Sequence, residues 1–154
     1  MKPKTARKQS PRQRAIAAGY RSGLEDATAQ HLTKKGVQFE YETRTIYYEK
    51  PARLSRYTPD FLLPNGIIVE TKGRFVTADR QKMLLIKKQH PDLDIRMVFS
   101  NPNTRISKTS KTTYAMWCNR HGFQFEKLII PAEWIAEPEN SERFKALEKA
   151  GIKP

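Results

Sequence analysis

The sequence predicts an α/β fold, a mixed β-sheet flanked by helices in a single domain, on three observations. Two apolar runs, Phe61-Leu62-Leu63 and Ile67-Ile68-Val69, flank Pro64-Asn65-Gly66, the composition of adjacent strands joined by a tight turn. Helical spacing over about 22–35 and 78–90 alternates with strand-like runs at 37–49, 94–100 and 123–130. The 154 residues suffice to bury one sizeable core and leave no room for a second full domain.

Residues 1–21 carry Lys2, Lys4, Arg7, Lys8, Arg12, Arg14 and Arg21 with no acid, plus Pro3 and Pro11. That composition predicts a disordered basic arm over 1–18, with 19–154 as the domain. The arm is either a grip on a polyanion or a plain solvated tail. A helix is expected from about Ser22 to Lys35, with Leu24, Ala27, Thr28, His31 and Leu32 along one face and Gly36 as its stop. Ser22 and Glu25 have the spacing of a capping box, and spacing alone favours that structural task for Glu25 over a catalytic one. His31 has no second His or Cys near it at metal-ligand spacing and reads as a packed helix residue.

Val37–Glu49 alternates and is rich in aromatic residues, which predicts one long strand, bent if anything. Lys50–Arg56, with Pro51, connects it to the apolar hairpin. The next helix is expected from about Ala78 to His90, capped by Thr77 or Asp79 and stopped by Pro91. Met83, Leu84 and Ile86 would face the sheet, while Arg80, Lys82, Lys87 and Lys88 stay outside. Asp94–Ser100 is a central strand, Asn101–Lys111 a polar loop with Arg105, Lys108 and Lys111, and Thr113–His121 a helix ended by Gly122. Tyr114, Trp117 and Cys118 share one side of that helix. Cys118 reads as a core thiol, because no His or acid is placed in sequence to activate it. Phe123–Ile130 supplies the last strand. Short helices follow at Pro131–Trp134 and Asn140–Ala150, Phe144 and Leu147 anchoring the latter.

The chemistry concentrates in the hairpin, where Asp60, Glu70 and Lys72 interrupt apolar runs. Charges among buried strand residues are costly unless paired, and two carboxylates with an ammonium can hold a divalent cation and a water. The turn decides whether they meet. A two-residue Asn65-Gly66 turn would send Asp60 and Glu70 to opposite faces, because side chains alternate along a strand. A three-residue Pro64-Asn65-Gly66 loop pairs Leu63 with Ile67 and Asp60 with Glu70; Pro64 and Gly66 both favour it. Asp60, Glu70 and Lys72 then share one face, with Val69 and Thr71 on the other. Such a carboxylate pair suits Mg²⁺ or Mn²⁺, which activates water and offsets charge on a scissile phosphate. Lys72 would orient or deprotonate the water, or offset that charge. An ordinary Glu-Lys pair on a surface hairpin is the plainer alternative.

A formal charge of +13, spread along the whole chain, calls for a polyanionic partner. Nucleic acid fits better than an anionic membrane surface. No apolar run approaches membrane-spanning length, and the first 20 residues are too charged for a secretory signal. One cysteine forms no intrachain disulfide, so a cytoplasmic setting is expected. Candidate DNA contacts are Arg12, Arg14, Arg21, Arg80, Lys82, Lys88, Arg105 and Lys108. No Gly-rich phosphate loop or internal repeat is present.

Pro59-Asp60 with Glu70-x-Lys72 resembles the PD-(D/E)xK nuclease signature, and a wider set of residues narrows it. Tyr20–Asp26, Tyr57–Gly66, Val69–Gly73, Gln89-His90-Pro91 and Ile130–Ile135 resemble the endonuclease I family of tailed phages, a family of Holliday-junction resolvases. The likeness covers roughly residues 19–138, in order and at matching intervals. It implies a restriction-endonuclease-like core, Asp60 and Glu70 as ligands of Mg²⁺ with Mn²⁺ able to substitute, and the Thr71 carbonyl as a further ligand. It also implies Lys72 as catalytic and Glu25 as completing the site, which reverses the preference drawn from spacing. Implied as well is a homodimer with shared active sites, built by exchange of residues 19–49 across the 50–56 connector, that cuts branched DNA to leave 5′-phosphate and 3′-hydroxyl ends. Two alternatives stand beside that reading. One is a nuclease acting on mismatched or linear duplex DNA; the other is a non-catalytic nucleic-acid binder whose aromatics, such as Tyr41, Tyr47 and Trp117, stack on single strands.

Overall fold

The computed structural model describes residues 10–50 and 52–151. Among these residues five strands form a mixed sheet in the order β1 (Glu40–Tyr41), β4 (Phe61–Leu62), β5 (Ile68–Lys72), β6 (Ile95–Phe99), β7 (Phe125–Lys127). The β1–β4 and β4–β5 pairs are antiparallel, while β5–β6 and β6–β7 are parallel. Parallel neighbours need crossovers, supplied by α3 (Thr77–Gln89) and α4 (Tyr114–His121). Strands β2 (Ile46–Lys50) and β3 (Arg53–Tyr57) form a separate antiparallel hairpin.

Alternation along β5 divides the core in two. Ile68 packs with Met97, Phe99, Met83, Ile86, Phe75 and the β2–β3 hairpin, whereas Val69 packs with Phe61, Leu63, Ile67, Ala29, Leu32 and Trp134. The first face is covered by α3 and α4, and the second by α2 (Gly23–Lys34) and α5 (Ala132–Ala136). Both faces of β6 and of β5 up to Thr71 are therefore buried, which is why the run Ile67-Ile68-Val69 shows no alternation before Glu70 and Lys72 interrupt it.

The hairpin turn follows the three-residue form. The Leu63 carbonyl accepts from the Gly66 amide at 3.0 Å, the Leu63 amide donates to the Ile67 carbonyl at 2.9 Å, and Phe61 stands opposite Val69. Gly66 adopts φ 88°. Buried Asn65 fixes the turn from outside: its amide nitrogen donates to the carbonyls of Trp134 at 2.8 Å and Glu137 at 3.0 Å.

Several sequence expectations are corrected. Pro11–Ala17 is a helix, α1, rather than part of a disordered arm; residues 1–9 lie outside the described residues. Ser10 and Gln13 bond each other's backbone amides as a complete capping box with Pro11 at the first helical position, a signal that charge counting overlooks. Ala15 is fully buried, and a Cβ on Gly23 would lie 3.2 Å from that of Pro11, so α1 packs on the start of α2. The predicted strand 37–49 is two strands in two sheets, broken after Tyr41 where Glu42 takes a left-handed φ of 50°. Residues of the expected 50–56 connector belong to the β2–β3 hairpin: Lys50 ends β2 and pairs with Arg53, the start of β3.

Helix α3 has Val76 at its N-cap with no side-chain cap, in place of Thr77 or Asp79. Arg80 ties down that end instead, donating to the Phe75 carbonyl and, at 3.0 Å, to Thr77 Oγ1. In α6 (Ser141–Lys149), Ala146 and Leu147 are buried, while Phe144, expected as an anchor, is 40% exposed. The helix is held by ions instead. Arg143 bonds Asp94 Oδ2 at 2.9 Å and Glu137, and buried Arg96 bonds the same two acids at 2.7–2.9 Å. Cys118 is a core thiol as expected, its pKa pushed up to about 12 by burial.

Gly66→Ala is expected to destabilise the fold by more than the 1–2 kcal/mol or so that a left-handed non-glycine residue costs. The added Cβ would also stand 2.9 Å from Cβ of Arg143. Urea denaturation followed by circular dichroism measures the loss, and an unchanged midpoint would remove the turn assignment.

Candidate active site

Asp60 sits just before β4, at the mouth of the hairpin, and this position lets it reach both faces of the sheet. The register that sets Phe61 opposite Val69 continues to Asp60 opposite Glu70, and the Asp60 amide donates to Glu70 Oε2 at 3.4 Å. Its carboxylate, however, turns across the strand end, and Oδ2 accepts from the Thr71 amide and the Thr71 hydroxyl, both at 2.9 Å. The expectation that the Asp60 and Glu70 carboxylates lie on one face is corrected to that extent. Pairing is as derived, but Asp60 leans toward α2.

There it meets Glu25. The observed buried face of α2 is Glu25, Asp26, Thr28, Ala29 and Leu32, rotated from the predicted one, so Glu25 points inward. Only half of its capping box forms. Ser22 Oγ accepts from the Glu25 amide at 3.1 Å, while the Glu25 carboxylate accepts from the Arg21 amide at 2.9 Å and from the Tyr41 hydroxyl. Glu42, absent from the sequence-derived candidates, completes the group. Glu25, Glu42 and Asp60 each offer one oxygen, all within 4.8 Å of one another. No sequence signal marks Glu42, since its carboxylate reaches the group through a backbone break inside an alternating run.

Glu70 lies behind this cluster, 5% exposed. The Tyr57 hydroxyl donates to its Oε2 at 2.7 Å, and Lys72 Nζ lies 3.8 Å from its Oε1. Lys72 is shared, with Asp79 Oδ1 at 3.7 Å on its other side. Burial pushes the Glu70 carboxyl up to about 8, with Asp60 adding to the rise and Lys72 opposing it. Asp60 is pushed up to about 6 by burial, with Glu25 adding to the rise and its Thr71 bonds opposing it. Tyr57 is driven well above its ordinary value by burial and by Glu70, so its hydroxyl remains a donor. Among these crowded, desolvated carboxylates Glu70 keeps its proton at neutral pH and Asp60 keeps one into the mildly acid range, and such a group fits a hard divalent cation, which would supply the missing positive charge through oxygen ligands.

The basic candidates separate by position. Arg12 and Arg14 are exposed on α1, and Lys88 is exposed near the end of α3. Arg21, its side chain 77% exposed, pairs with Glu42 at 3.4 Å. Arg105 and Lys108 line an open groove of about 400 Å³ opposite Gly73, Arg74, Phe75 and Val76, immediately beyond Lys72. Arg80 is committed to the start of α3. Lys82, expected outside, lies over the Tyr57 ring with Nζ 5.0 Å from its centre, and burial lowers its pKa.

Acids and a lysine converging at one end of a mixed sheet are the groups that metal-assisted phosphodiester hydrolysis uses, and with the family that follows they place the chain in the class of nucleases. A family model described as phage endonuclease I matches residues 6–153, and the chain belongs to that family. It is 52% identical to Endonuclease I of Escherichia phage T7 over 134 residues, covering 87% of this chain and 90% of that protein. It is 47% identical over 135 residues to Endodeoxyribonuclease 1 of Enterobacteria phage T3, with coverages of 87% and 89%.

The raised carboxyl values set a direction for stability. A group whose folded pKa lies above its unfolded value, about 4.3 for glutamate, keeps its proton in the folded chain after the unfolded chain has lost it. Its favourable contribution is complete below the unfolded value and is lost as pH rises through the folded one. In a chelator, the melting-temperature difference between parent and Glu70→Gln is therefore expected to move against the parent from about pH 4.5 to pH 8. Adding Mg²⁺ or Mn²⁺ should reduce that shift. A difference that is flat with pH would show that Glu70 is not held protonated by its surroundings.

Proposed function

We propose that this protein is a structure-selective endodeoxyribonuclease that resolves four-way and other branched DNA junctions. The observation that carries the reading is the convergence of Glu25, Asp60, Glu70 and Lys72 at one end of the sheet in a chain of this family. Glu25, Asp60 and Glu70 would hold Mg²⁺, with Mn²⁺ able to substitute and the Thr71 carbonyl adding an oxygen. When bound, the cation supplies a water of lowered pKa and offsets charge on the phosphate. The chain's own residues then have separable tasks. Thr71 fixes the Asp60 carboxylate, Tyr57 occupies one oxygen of Glu70, and Glu70 with Asp79 holds the Lys72 ammonium at the rim where a phosphate would lie. Lys72 acts there on the attacking water or on the developing charge.

The net charge of +13 supports DNA as substrate, and junction geometry would be read through shape and backbone charge more than through base edges. Arg12, Arg14, Arg21, Lys88, Arg105 and Lys108 are the exposed cations placed for phosphate contact. Resolving a four-way junction takes two symmetric cuts and hence two related sites, which a homodimer supplies. Exchange of residues 19–49 between subunits would require the Lys50–Arg53 end of the β2–β3 hairpin to open, Glu25 of one chain then joining Asp60, Glu70 and Lys72 of the other. Among the described residues no helix is long and apolar enough to cross a membrane, and the relatives are phage proteins, so the setting we assign is the cytoplasm of a host cell.

Cleavage of a four-way junction and of the matching linear duplex, compared at one salt concentration with Mg²⁺, tests the reading. The parent is expected to cut the junction at least tenfold faster. Lys72→Ala should lose cutting by two or more orders of magnitude while gel-shift affinity for the junction stays within about threefold, as expected when a transition-state group is removed. Equal rates on the two substrates would refute junction selectivity, and full activity in Lys72→Ala would refute the assigned chemistry.

A further inference from the structure

Tyr57, the last residue of β3, is fully buried, and its ring fills the core beside Ile46, Ile68 and Met83. Its hydroxyl nevertheless does not point into apolar surroundings; it donates to Glu70 Oε2 at 2.7 Å. Glu70 thereby has its two oxygens assigned to different tasks. Oε2 accepts from Tyr57 and from the Asp60 amide, and Oε1 faces Lys72 Nζ at 3.8 Å. A glutamate carboxylate otherwise turns freely about its last bond, and with both oxygens equivalent either could swing toward the cluster mouth. The groups facing the pair are Asp60 from the hairpin mouth, Lys72 from β5 and Lys82 from α3, the last with Nζ 5.0 Å from the Tyr57 ring centre.

We propose that Tyr57 is a positioning residue for the metal site, its hydroxyl locking the Glu70 carboxylate so that Oε1 is presented to the cation and to Lys72. The inference rests on the metal-dependent reading above. Partners that orient a ligating side chain from behind are worth about 10–100-fold in metal affinity or activity. Tyr57 meets the physical conditions for one: it is fully buried, its hydroxyl donates to Glu70, and it is held by strand pairing, since it stands opposite Ile46 of β2. A tyrosine that only filled the core would be replaced by phenylalanine with little consequence for the cation.

The test uses the full chain and two readouts. Calorimetric titration of the metal-free protein with Mn²⁺ compares parent, Tyr57→Phe, Glu70→Gln and the double variant, and junction cleavage is followed against Mg²⁺ concentration in parallel. Tyr57→Phe is expected to raise the half-saturating metal concentration by about tenfold while leaving metal-free junction affinity unchanged. In the Glu70→Gln background the same substitution should add no further loss. Half-saturation equal to that of the parent, or an equal additional loss in the Glu70→Gln background, overturns the assignment. If Tyr57→Phe fails to fold, 3-fluorotyrosine at position 57 keeps the ring and hydroxyl while altering donor strength; a shifted half-saturation supports the role and an unchanged one overturns it. A parent chain that takes up no metal defeats the metal-dependent reading itself, whereas equal uptake by parent and variant defeats only the role of Tyr57.

Discussion

Glu25, Asp60 and Glu70 lose water at the mouth of the β4–β5 hairpin, and the cost of that desolvation conditions most of what surrounds them. Each has recruited donors that ordinary sheet packing would not require. Glu25 takes the Arg21 amide and the Tyr41 hydroxyl, Asp60 takes two groups of Thr71, and Glu70 takes the Tyr57 hydroxyl with Lys72 nearby. Those donors do not cancel the burial, for Asp60 and Glu70 still hold their protons well above the normal carboxylate range. The unbalanced remainder would favour a divalent cation at the site, because a cation would remove repulsion that the protein alone leaves in place.

Holding repelling groups together takes a stiff frame, and the frame extends to the far end of the chain. The turn between β4 and β5 fixes the register that puts Asp60 against Glu70, and Asn65 fixes that turn by bonding the end of α5. Glu137, just past α5, is in turn gripped by Arg96 of β6 and Arg143 of α6. Arg96 also lies over the Trp134 ring, its guanidinium carbon 5.3 Å from the centre. A network with these partners satisfied is costly to open at any one point, since losing one member leaves the others buried and unpaired. The C-terminal helix, although it lies outside the motifs that carry the resemblance in the sequence, thus bears indirectly on the geometry at the opposite end of β5.

Much of this was legible in the sequence where the governing signal is local. Pro64 and Gly66 specify the turn, the turn specifies register, and register brings the Asp60 amide to Glu70. The helices at 23–34, 77–89 and 114–121 and the core thiol were legible for the same reason, being set by periodicity within a few residues. What escaped depended on distant partners. Glu42 joins the site through its fold-back toward Asp60, Lys82 turns inward because an aromatic ring lies beneath it, and Phe144 stays outside because Arg143 already ties α6 to Asp94 and Glu137. The α1 helix escaped for a different reason: its basic, acid-free composition resembles that of a disordered arm, while a capping box and an N-terminal proline specify the helix.

The break at Glu42 shows how one left-handed residue reorganises a site. Had Val37–Glu49 run as a single strand beside β4, Tyr47 and Tyr48 would have continued along the sheet edge, with no second hairpin. The left-handed turn at Glu42, stabilised by its amide's 3.3 Å bond to the Asp60 carbonyl, ends β1. The chain then leaves the sheet, and Ile46–Lys50 is free to pair with Arg53–Tyr57 against the other core face. That pairing delivers the Tyr57 hydroxyl to Glu70 from behind, while the Glu42 carboxylate is left facing Glu25 and Asp60 from in front. A strained residue costing about 1–2 kcal/mol therefore serves both sides of the acidic cluster at once. This is a physical reason for the strain to sit at the site rather than elsewhere in the chain.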